Sequence, residues 1–189
     1  GLSSHELNLP GTYKDVKDTS IVAQFKVKRD SKSEFLFKET SSDVFILAWT
    51  TTPWTLPSNT ALAVGKKIAY VAVQTFNPYT FEPVTVVLAK DLAGKYFPEK
   101  NAALAHEDNK AGDKQIPFKF IGEFDGGKLE GLSYAQFLPC VQPTDGDAFR
   151  VVTGDFVTTE DGTGIVHIAP SFGADDFRTA KQQGLGSLT

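Results

Sequence analysis

Three adjacent hydroxyl side chains are the first candidates for chemistry in this sequence. Thr50, Thr51 and Thr52 follow an apolar, β-prone segment (residues 43–48) and are bracketed by two tryptophans and two prolines. Proline disfavours helix at the residue before it, so the run that ends at Asn59 is predicted to be an ordered loop. Hydroxyls at a strand end commonly satisfy loop backbone groups, but this rigid bracket favours a site that presents them to a ligand.

An imidazole and a glycine-rich turn occur later in the chain. His167 lies on a predicted strand, residues 164–169, between the turn Gly162, Thr163 and Gly164 and an Ala-Pro exit. A lone histidine is more commonly structural, but glycine lets a ligand approach the backbone closely. One face of this strand can pack in the core while the other faces a cavity. We therefore predict that His167 and the glycine-rich turn line a binding cavity.

Two adjacent carboxylates complete the set of candidate groups. Asp175 and Asp176 fall in the first turn of a predicted helix, residues 174–183. Either aspartate can interact favourably with the helix N-terminus, which leaves the other for a cationic ligand.

The reaction that these groups favour is the addition of a positioned water to an activated ester. The chain has neither a His-Glu-x-x-His metal motif nor a Gly-x-Ser-x-Gly nucleophile elbow. Composition alone leaves a Ser-His-Asp triad open. A labile ester can be hydrolysed through orientation and oxyanion stabilisation alone. No metal or other cofactor is predicted.

Two long runs resemble the signatures of one enzyme family. Trp-Thr-Thr-Thr-Pro-Trp-Thr-Leu-Pro-Ser-Asn (residues 49–59) is similar to the first signature of the editing (CP1) domain of isoleucyl-tRNA synthetases. Gly-Thr-Gly-Ile-Val-His-Ile-Ala-Pro-Ser-Phe-Gly-Ala-Asp-Asp (residues 162–176) is similar to the second. Valyl and leucyl relatives carry Thr-Thr-Arg-Pro at the first site and lack the histidine. Thr52, Trp54 and His167 therefore favour the isoleucyl branch.

The resemblance implies a substrate, valyl-tRNA(Ile), and a partner, the 3′ end of that tRNA. One missing methylene supplies only about 1–3 kcal/mol of discrimination, a magnitude for which isoleucyl-tRNA synthetase is itself the standard example. A second, smaller sieve then hydrolyses the valyl ester. A ribose hydroxyl of the tRNA terminus is expected to assist the water, because the sequence offers no strong base.

The resemblance also implies a role for each site residue. The residues expected to position the terminal adenosine, the ester and the water are Thr50, Thr52 and Asn59. Thr51, the fourth residue of the expected catalytic set, is expected to shape the loop or contact the substrate. Asp176 is expected to hold the α-ammonium group. The side-chain pocket is expected to be walled by Trp49, Gly162, Thr163, Gly164 and His167. We predict a steric role for His167, the exclusion of isoleucine.

Other functions stay open at this stage. A non-catalytic insert that docks tRNA would be expected to show erosion of the site, yet all the family positions are present. An editing domain of the valyl-type branch is a further alternative. The missing elbow disfavours an unrelated esterase. The His-Ile-Gly-His and Lys-Met-Ser-Lys-Ser signatures are absent, so no aminoacylation site is predicted.

Length and composition predict a single folded domain. The 189 residues are 41% hydrophobic with a net charge of −4, which predicts that most tRNA affinity lies elsewhere in a parent synthetase. The absence of methionine indicates a fragment, which is expected to be monomeric. We expect a linker over residues 1–18 and the editing domain over residues 19–189.

A cytoplasmic location and no membrane association are predicted. The chain has a single cysteine, Cys140, and it has neither a signal peptide nor an apolar run long enough to span a membrane.

Hydrophobic patterning predicts many short strands and few helices. The predicted strands are residues 21–28, 34–38, 44–50, 60–64, 68–74, 84–89, 116–124, 128–132, 148–157 and 164–169, and the predicted helices are residues 90–97 and 174–183. This count predicts a β-rich α+β fold, with a closed or nearly closed β-barrel core and peripheral helices.

Overall fold

Two mixed β-sheets form the centre of the computed structural model, which describes residues 20–104, 115–138 and 147–186. The strands are β1 (Ile21–Lys26), β2 (Asp43–Thr50), β3 (Ala61–Val64), β4 (Ala69–Phe76), β5 (Pro83–Ala89), β6 (Lys119–Asp125), β7 (Arg150–Thr153) and β8 (Ile165–Ile168). The large sheet has the order β1-β2-β5-β4-β6, and the small sheet has the order β7-β3-β8. Within them β2 runs parallel to β5 and β3 runs parallel to β7, whereas the other neighbours are antiparallel.

Short helices connect and cover the sheets. The α-helices are α1 (Lys90–Tyr96), α2 (Gly126–Leu129) and α3 (Ala174–Gln183), and the 3₁₀-helices are Glu34–Leu36, Pro53–Ser58 and Glu99–Asn101. The helix α3 ends where Gly184 adopts the left-handed conformation, with φ of 63°. No helix in the described part of the chain is long and apolar enough to cross a membrane.

Three apolar clusters hold these layers together. The main cluster contains side chains of both sheets, among them Phe25, Ile46, Leu62 and Tyr134. A second cluster joins the alternate residues of β4 and β5 to Ala93 of α1. The third joins the small sheet to α3. Each sheet is therefore covered on both faces, which explains why β3 and β5 are almost continuously apolar in sequence.

The predicted barrel is wrong, because among the described residues neither sheet closes on itself by hydrogen bonds. From the end of β1 towards β7 the described chain is linked by two single bridges, Val27 to Tyr134 and Ser133 to Arg150, and by the backbone hydrogen bonds around them. At the opposite edge, β6 is largely exposed and pairs only with β4 in the described sheet. Its charged side chains are those of a solvent-facing edge strand. The number of predicted strands does not determine which edge strands pair with each other, so it could not predict whether the sheet closes.

Two further predicted strands are helical turns instead. Residues 34–38 do not pair with β1, because the carboxylate of Asp30 accepts hydrogen bonds from the N–H groups of Lys32 (2.9 Å) and Ser33 (3.0 Å) and turns the chain into a 3₁₀-helix. Residues 128–132 form no hairpin with β6. Gly126 donates its N–H to the carbonyl of Ile68 at 2.9 Å, and α2 begins there. The remaining predicted strands and the helix at residues 90–97 are present with shifted bounds, and the predicted helix at residues 174–183 has the observed bounds.

Gly164 is a position where both the backbone conformation and the packing require glycine. Its φ is +71°, and a Cβ there would overlap the Cβ of Ala89. Gly164→Ala should therefore lower the free energy of unfolding by about 1–3 kcal/mol, measured by urea titration. The control is Gly94→Ala in α1, where a Cβ would meet nothing within 4 Å. Equal midpoints for the two variants would contradict this requirement for glycine.

Candidate active site

The hydroxyl-rich loop begins where β2 ends and continues as a 3₁₀-helix. Thr50 Oγ1 accepts a hydrogen bond from the N–H of Thr52 at 3.0 Å, and the two hydroxyls lie 3.3 Å apart. Proline occupies the first turn of the 3₁₀-helix, whose preceding residue, Thr52, is not helical (φ −121°, ψ 65°). Thr51 is exposed. The loop thus brings the hydroxyls of Thr50 and Thr52 together.

His167 extends from β8 and is held on both sides of its ring. Its Nε2 lies 2.8 Å from Thr55 Oγ1, and its Nδ1 lies 2.8 Å from Asn59 Nδ2. The side chain is 8% exposed. Burial lowers the pKa of His167 to about 4, so the ring is neutral at neutral pH.

Asp176 lies in the first turn of α3 and faces inward. Its Oδ2 accepts a hydrogen bond from the N–H of Ala169 at 2.9 Å. Burial raises the pKa of Asp176, that hydrogen bond lowers it, and the neighbouring Asp175 raises it further, with a net rise. Asp175 itself points outward: its side chain is 93% exposed and lies 3.7 Å from the guanidinium of Arg178. The two carboxylates therefore divide into one at the site and one in solvent.

A cavity of about 400 Å³ brings together most of the predicted site residues. Its lining includes Trp49, Thr50, Thr51, Thr52, His167 and Asp176. Trp54, Thr55, Val166, Ala169 and Phe172 complete it. Residues of both sequence runs thus line one cavity, to which they contribute hydroxyls, an imidazole and a carboxylate.

The glycine-rich turn lies beside a different and smaller cavity. Gly162, Thr163 and Gly164 line a space of about 200 Å³, which shares Trp49 and Val166 with the main one. Thr163 is buried, donates its hydroxyl to the carbonyl of Leu47 at 2.7 Å and accepts from the N–H of Ala89 at 2.8 Å. The turn therefore connects β2 and β5 by hydrogen bonds and lies next to Trp49. Its predicted contact with substrate stays a prediction.

Asn59 also lies outside the lining of the main cavity. It is 2% exposed, and Nδ2 contacts the carbonyl of Ala61 as well as His167, both at 2.8 Å. Its Oδ1 accepts from the hydroxyl of Tyr134 at 2.5 Å. The predicted direct contact of Asn59 with ester or water is untested, and the position behind His167 favours an indirect role.

Comparisons with known proteins agree with the two signatures. No protein-family profile matches the chain. Isoleucine–tRNA ligase of Cytophaga hutchinsonii is 61% identical over 188 residues, which are 100% of this chain and 16% of that protein. The enzyme of Treponema denticola is 40% identical over 204 residues, 99% of this chain and 17% of that protein. The chain is homologous to one segment of isoleucine–tRNA ligases. The predicted resemblance to isoleucyl-tRNA synthetases is confirmed.

Solved structures with a similar fold come from a related synthetase. GlLeuRS-CP1, a leucyl-tRNA synthetase domain, superposes with a TM-score of 0.61 at 20% identity, over 87% of this chain and 60% of that one. The editing domain of the P. knowlesi cytosolic leucyl-tRNA synthetase gives 0.60 at 14% identity, over 88% and 64%. This segment of the isoleucine–tRNA ligase family thus has the fold of leucyl-type editing domains.

Four residues that sequence reasoning did not assign belong to the site or support it. Thr55 and Phe172 lie within the two signatures, but no role was predicted for either residue from the sequence. Trp54 was used only to choose the family branch, yet it lines the cavity. Tyr134 lies outside both signatures, and no local pattern marks it.

Within the described residues, no group of three or more histidine, cysteine, aspartate or glutamate side chains could hold a metal ion. Cys140 and the linker residues 1–18 lie outside the described part of the chain.

The depressed pKa of His167 predicts a pH dependence of stability. An unfolded histidine takes up a proton near pH 6.5, whereas the folded ring resists protonation until about pH 4. Its contribution to stability is therefore present above pH 6.5 and is lost as the pH falls towards 4. In urea titrations, His167→Gln should flatten the fall in the free energy of unfolding over this window. An unchanged slope would contradict the buried, neutral ring.

Proposed function

We propose that this segment is the editing site of an isoleucyl-tRNA synthetase, which hydrolyses the ester of valyl-tRNA(Ile) with a positioned water. The observation that carries the proposal is the arrangement of the main cavity. A hydroxyl-bearing loop, an inward-facing carboxylate and a neutral imidazole line the same cavity. The segment spans about one sixth of the relatives' length, 16% of the first, and the remainder of the synthetase is a proposed partner.

The carboxylate gives the aminoacyl group its orientation in this proposal. Only one oxygen of Asp176 accepts from Ala169, and a carboxylate can accept several hydrogen bonds. A half-buried anion at the cavity wall binds an α-ammonium group strongly, because the pair is partly shielded from water. With the ammonium at Asp176, the ester extends towards Thr50 and Thr52.

The hydroxyl loop orients the ester and the water. The hydroxyls of Thr50, Thr51 and Thr52 can donate to an ester oxygen or accept from a water. His167 is a poor general base, because burial lowers its pKa to about 4 and both of its ring nitrogens are engaged in hydrogen bonds. Rate acceleration then rests on positioning and oxyanion stabilisation, with a ribose hydroxyl of the tRNA assisting the water.

In this proposal, selectivity for the valyl ester over the isoleucyl ester comes from a cavity wall that leaves room for the valine side chain but not for that of isoleucine. The ring of His167 lines the cavity and cannot swing away without losing hydrogen bonds to Thr55 and Asn59. A rigid wall detects one methylene sterically, whereas proton transfer would not distinguish the two esters.

Aromatic rings at the cavity offer a place for the adenine of the tRNA terminus. Trp54 is 65% exposed and Phe172 is 61% exposed, and both line the cavity. An exposed ring of this kind stacks on a nucleobase, which contributes about 1–3 kcal/mol per base. The acidic balance of the segment leaves most of the phosphate contacts to the rest of the synthetase. A cytoplasmic location and a monomeric segment remain part of the proposal.

The test is a calorimetric titration with amide-linked analogues of valyl-adenosine and isoleucyl-adenosine, which the site cannot cleave. We expect the valyl analogue to bind with micromolar to millimolar affinity in the presence of a chelator, and the isoleucyl analogue to bind more weakly. Equal affinity for both, or no binding of either, would contradict the proposed substrate.

A further inference from the structure

A continuous chain of hydrogen bonds runs from the apolar core to the hydroxyl loop. It begins at the hydroxyl of Tyr134, whose side chain is fully buried and packs edge-on against Phe25 with ring centroids 5.3 Å apart. It passes through Asn59 and His167 and ends at Thr55, whose hydroxyl lies 2.8 Å from the carbonyl of Thr52. Residues far apart in sequence are thus connected to the loop that carries the candidate chemistry.

The direction of each hydrogen bond follows from one backbone carbonyl. The oxygen of Ala61 can only accept, so the group of Asn59 that faces it at 2.8 Å must be the NH₂. The same NH₂ faces His167 Nδ1, and its two protons are then both used. The amide oxygen is left to accept from Tyr134. Rotation of the amide would oppose two carbonyl oxygens, so this orientation is fixed.

The state of the imidazole follows from that orientation. Because Asn59 donates to Nδ1, this nitrogen carries a lone pair and the neutral ring bears its proton on Nε2. That proton is donated to Thr55 Oγ1 at 2.8 Å. The hydroxyl of Thr55 in turn donates to the carbonyl of Thr52, alongside the backbone bond from Thr55 N–H to the same carbonyl at 3.0 Å.

We propose that Tyr134 and Asn59 are positioning residues that hold His167 as its Nε2–H tautomer. The tautomer fixes the turn between Thr52 and Thr55, and with it the hydroxyls at the cavity. This inference rests on the proposed editing function for its catalytic consequence, but the tautomer itself is a property of the free protein.

The hydroxyl of Tyr134 is the component that can be removed with least disturbance. Tyr134→Phe keeps the ring and its aromatic contacts but leaves the buried oxygen of Asn59 without that donor. A buried acceptor without a partner is costly, so the amide is expected to reorient and withdraw its NH₂ from His167. The matched control is Tyr70→Phe: Tyr70 is equally buried, and its hydroxyl donates to the carbonyl of Gly164 at 2.6 Å.

The first measurement is ¹⁵N NMR of the histidine rings in the wild-type segment at neutral pH, with the His167 signals assigned from their loss in His167→Gln. We expect an unprotonated Nδ1 and a protonated Nε2. A protonated Nδ1, or a mixture of tautomers, would overturn the proposal whether or not the protein hydrolyses any ester.

The second measurement applies the same spectra, recorded on the segment, and steady-state deacylation of valyl-tRNA(Ile), measured with the full-length synthetase, to the two tyrosine variants. Tyr134→Phe should broaden or shift the His167 nitrogen signals and lower kcat by about three- to tenfold with little change in KM. Tyr70→Phe should leave the His167 signals unchanged. Unchanged signals in Tyr134→Phe, or the same change in both variants, would overturn the positioning role.

These outcomes separate the two proposals. The expected tautomer in the segment, together with no deacylation of valyl-tRNA(Ile) by the full-length wild-type synthetase, would refute the editing function and leave the tautomer intact. Normal deacylation with the other tautomer would refute only the positioning role.

Discussion

Asp176→Asn should lower kcat/KM for valyl-tRNA(Ile) deacylation by about 10²-fold. The substitution keeps the size of the side chain and an oxygen that can accept from the N–H of Ala169. It removes the charge that is proposed to hold the α-ammonium group. Loss of one partner of a buried charge pair costs about 3–5 kcal/mol, and the half-buried position of Asp176 places the effect at the lower end of that range.

The neighbouring carboxylate supplies the control. Asp175→Asn removes the same charge one residue away, from a side chain that is 93% exposed. It should leave kcat/KM within about twofold of wild type, because exposed charges are strongly screened. Similar losses in both variants would indicate a general electrostatic effect on tRNA binding and would contradict the ammonium site.

The free energy of unfolding is a second measurement on Asp176→Asn, and it is expected not to fall although the activity falls. The pKa of Asp176 is raised, by burial first and by Asp175 as a smaller cause, so the folded protein binds this proton more tightly than the unfolded chain. The ionised carboxylate therefore costs stability at neutral pH. Asp176→Asn should be as stable as wild type or more stable there, and the gain should vanish below the unfolded pKa. A large loss of stability would indicate a structural residue instead.

His167→Ala is expected to change which ester is hydrolysed. Removing the imidazole enlarges the cavity on the side proposed to exclude isoleucine. Hydrolysis of isoleucyl-tRNA(Ile) should rise until the two esters are attacked at similar rates. Valyl-tRNA(Ile) hydrolysis should stay within about tenfold of wild type, since the lost hydrogen bond to Thr55 loosens the loop without removing its hydroxyls.

The alternative role of His167 predicts a different pattern. A general acid or base would cost about 10²–10⁴-fold in valyl-tRNA(Ile) hydrolysis on removal, with no gain on isoleucyl-tRNA(Ile). Deacylation of both esters by wild type and variant, within the full-length synthetase, separates the two cases. Matched urea midpoints establish that a loss of rate does not come from unfolding.

The sequence predicted the strands well wherever an apolar run had no competing turn. The strands β2, β3 and β5 are buried on both faces, and their continuous apolar residues mark them clearly. Residues 34–38 have a similar pattern, but the carboxylate of Asp30 turns the chain before a strand can form. The barrel prediction failed because closure depends on the pairing of edge strands, which is a long-range property.

The lining of the main cavity was partly predictable from the sequence, and the arrangement of the residues around it was less so. Thr50, Thr52, His167 and Asp176 meet across one cavity, as the two signatures imply. The position of Asn59 behind the imidazole was not predictable, because it depends on the carbonyl of Ala61 and on hydrogen bonds that span 75 and 108 residues. Both Asn59 and the glycine-rich turn belong to the two signatures but lie outside the lining of the main cavity.

The most direct test of the central proposal is the ratio of deacylation rates for valyl-tRNA(Ile) and isoleucyl-tRNA(Ile), measured under single-turnover conditions with the full-length synthetase, as wild type and as Asp176→Asn. We expect wild type to hydrolyse the valyl ester much faster than the isoleucyl ester. We also expect Asp176→Asn to lose most of the valyl rate. Equal rates on both esters, or a valyl rate unaffected by Asp176→Asn, would contradict the proposed editing site.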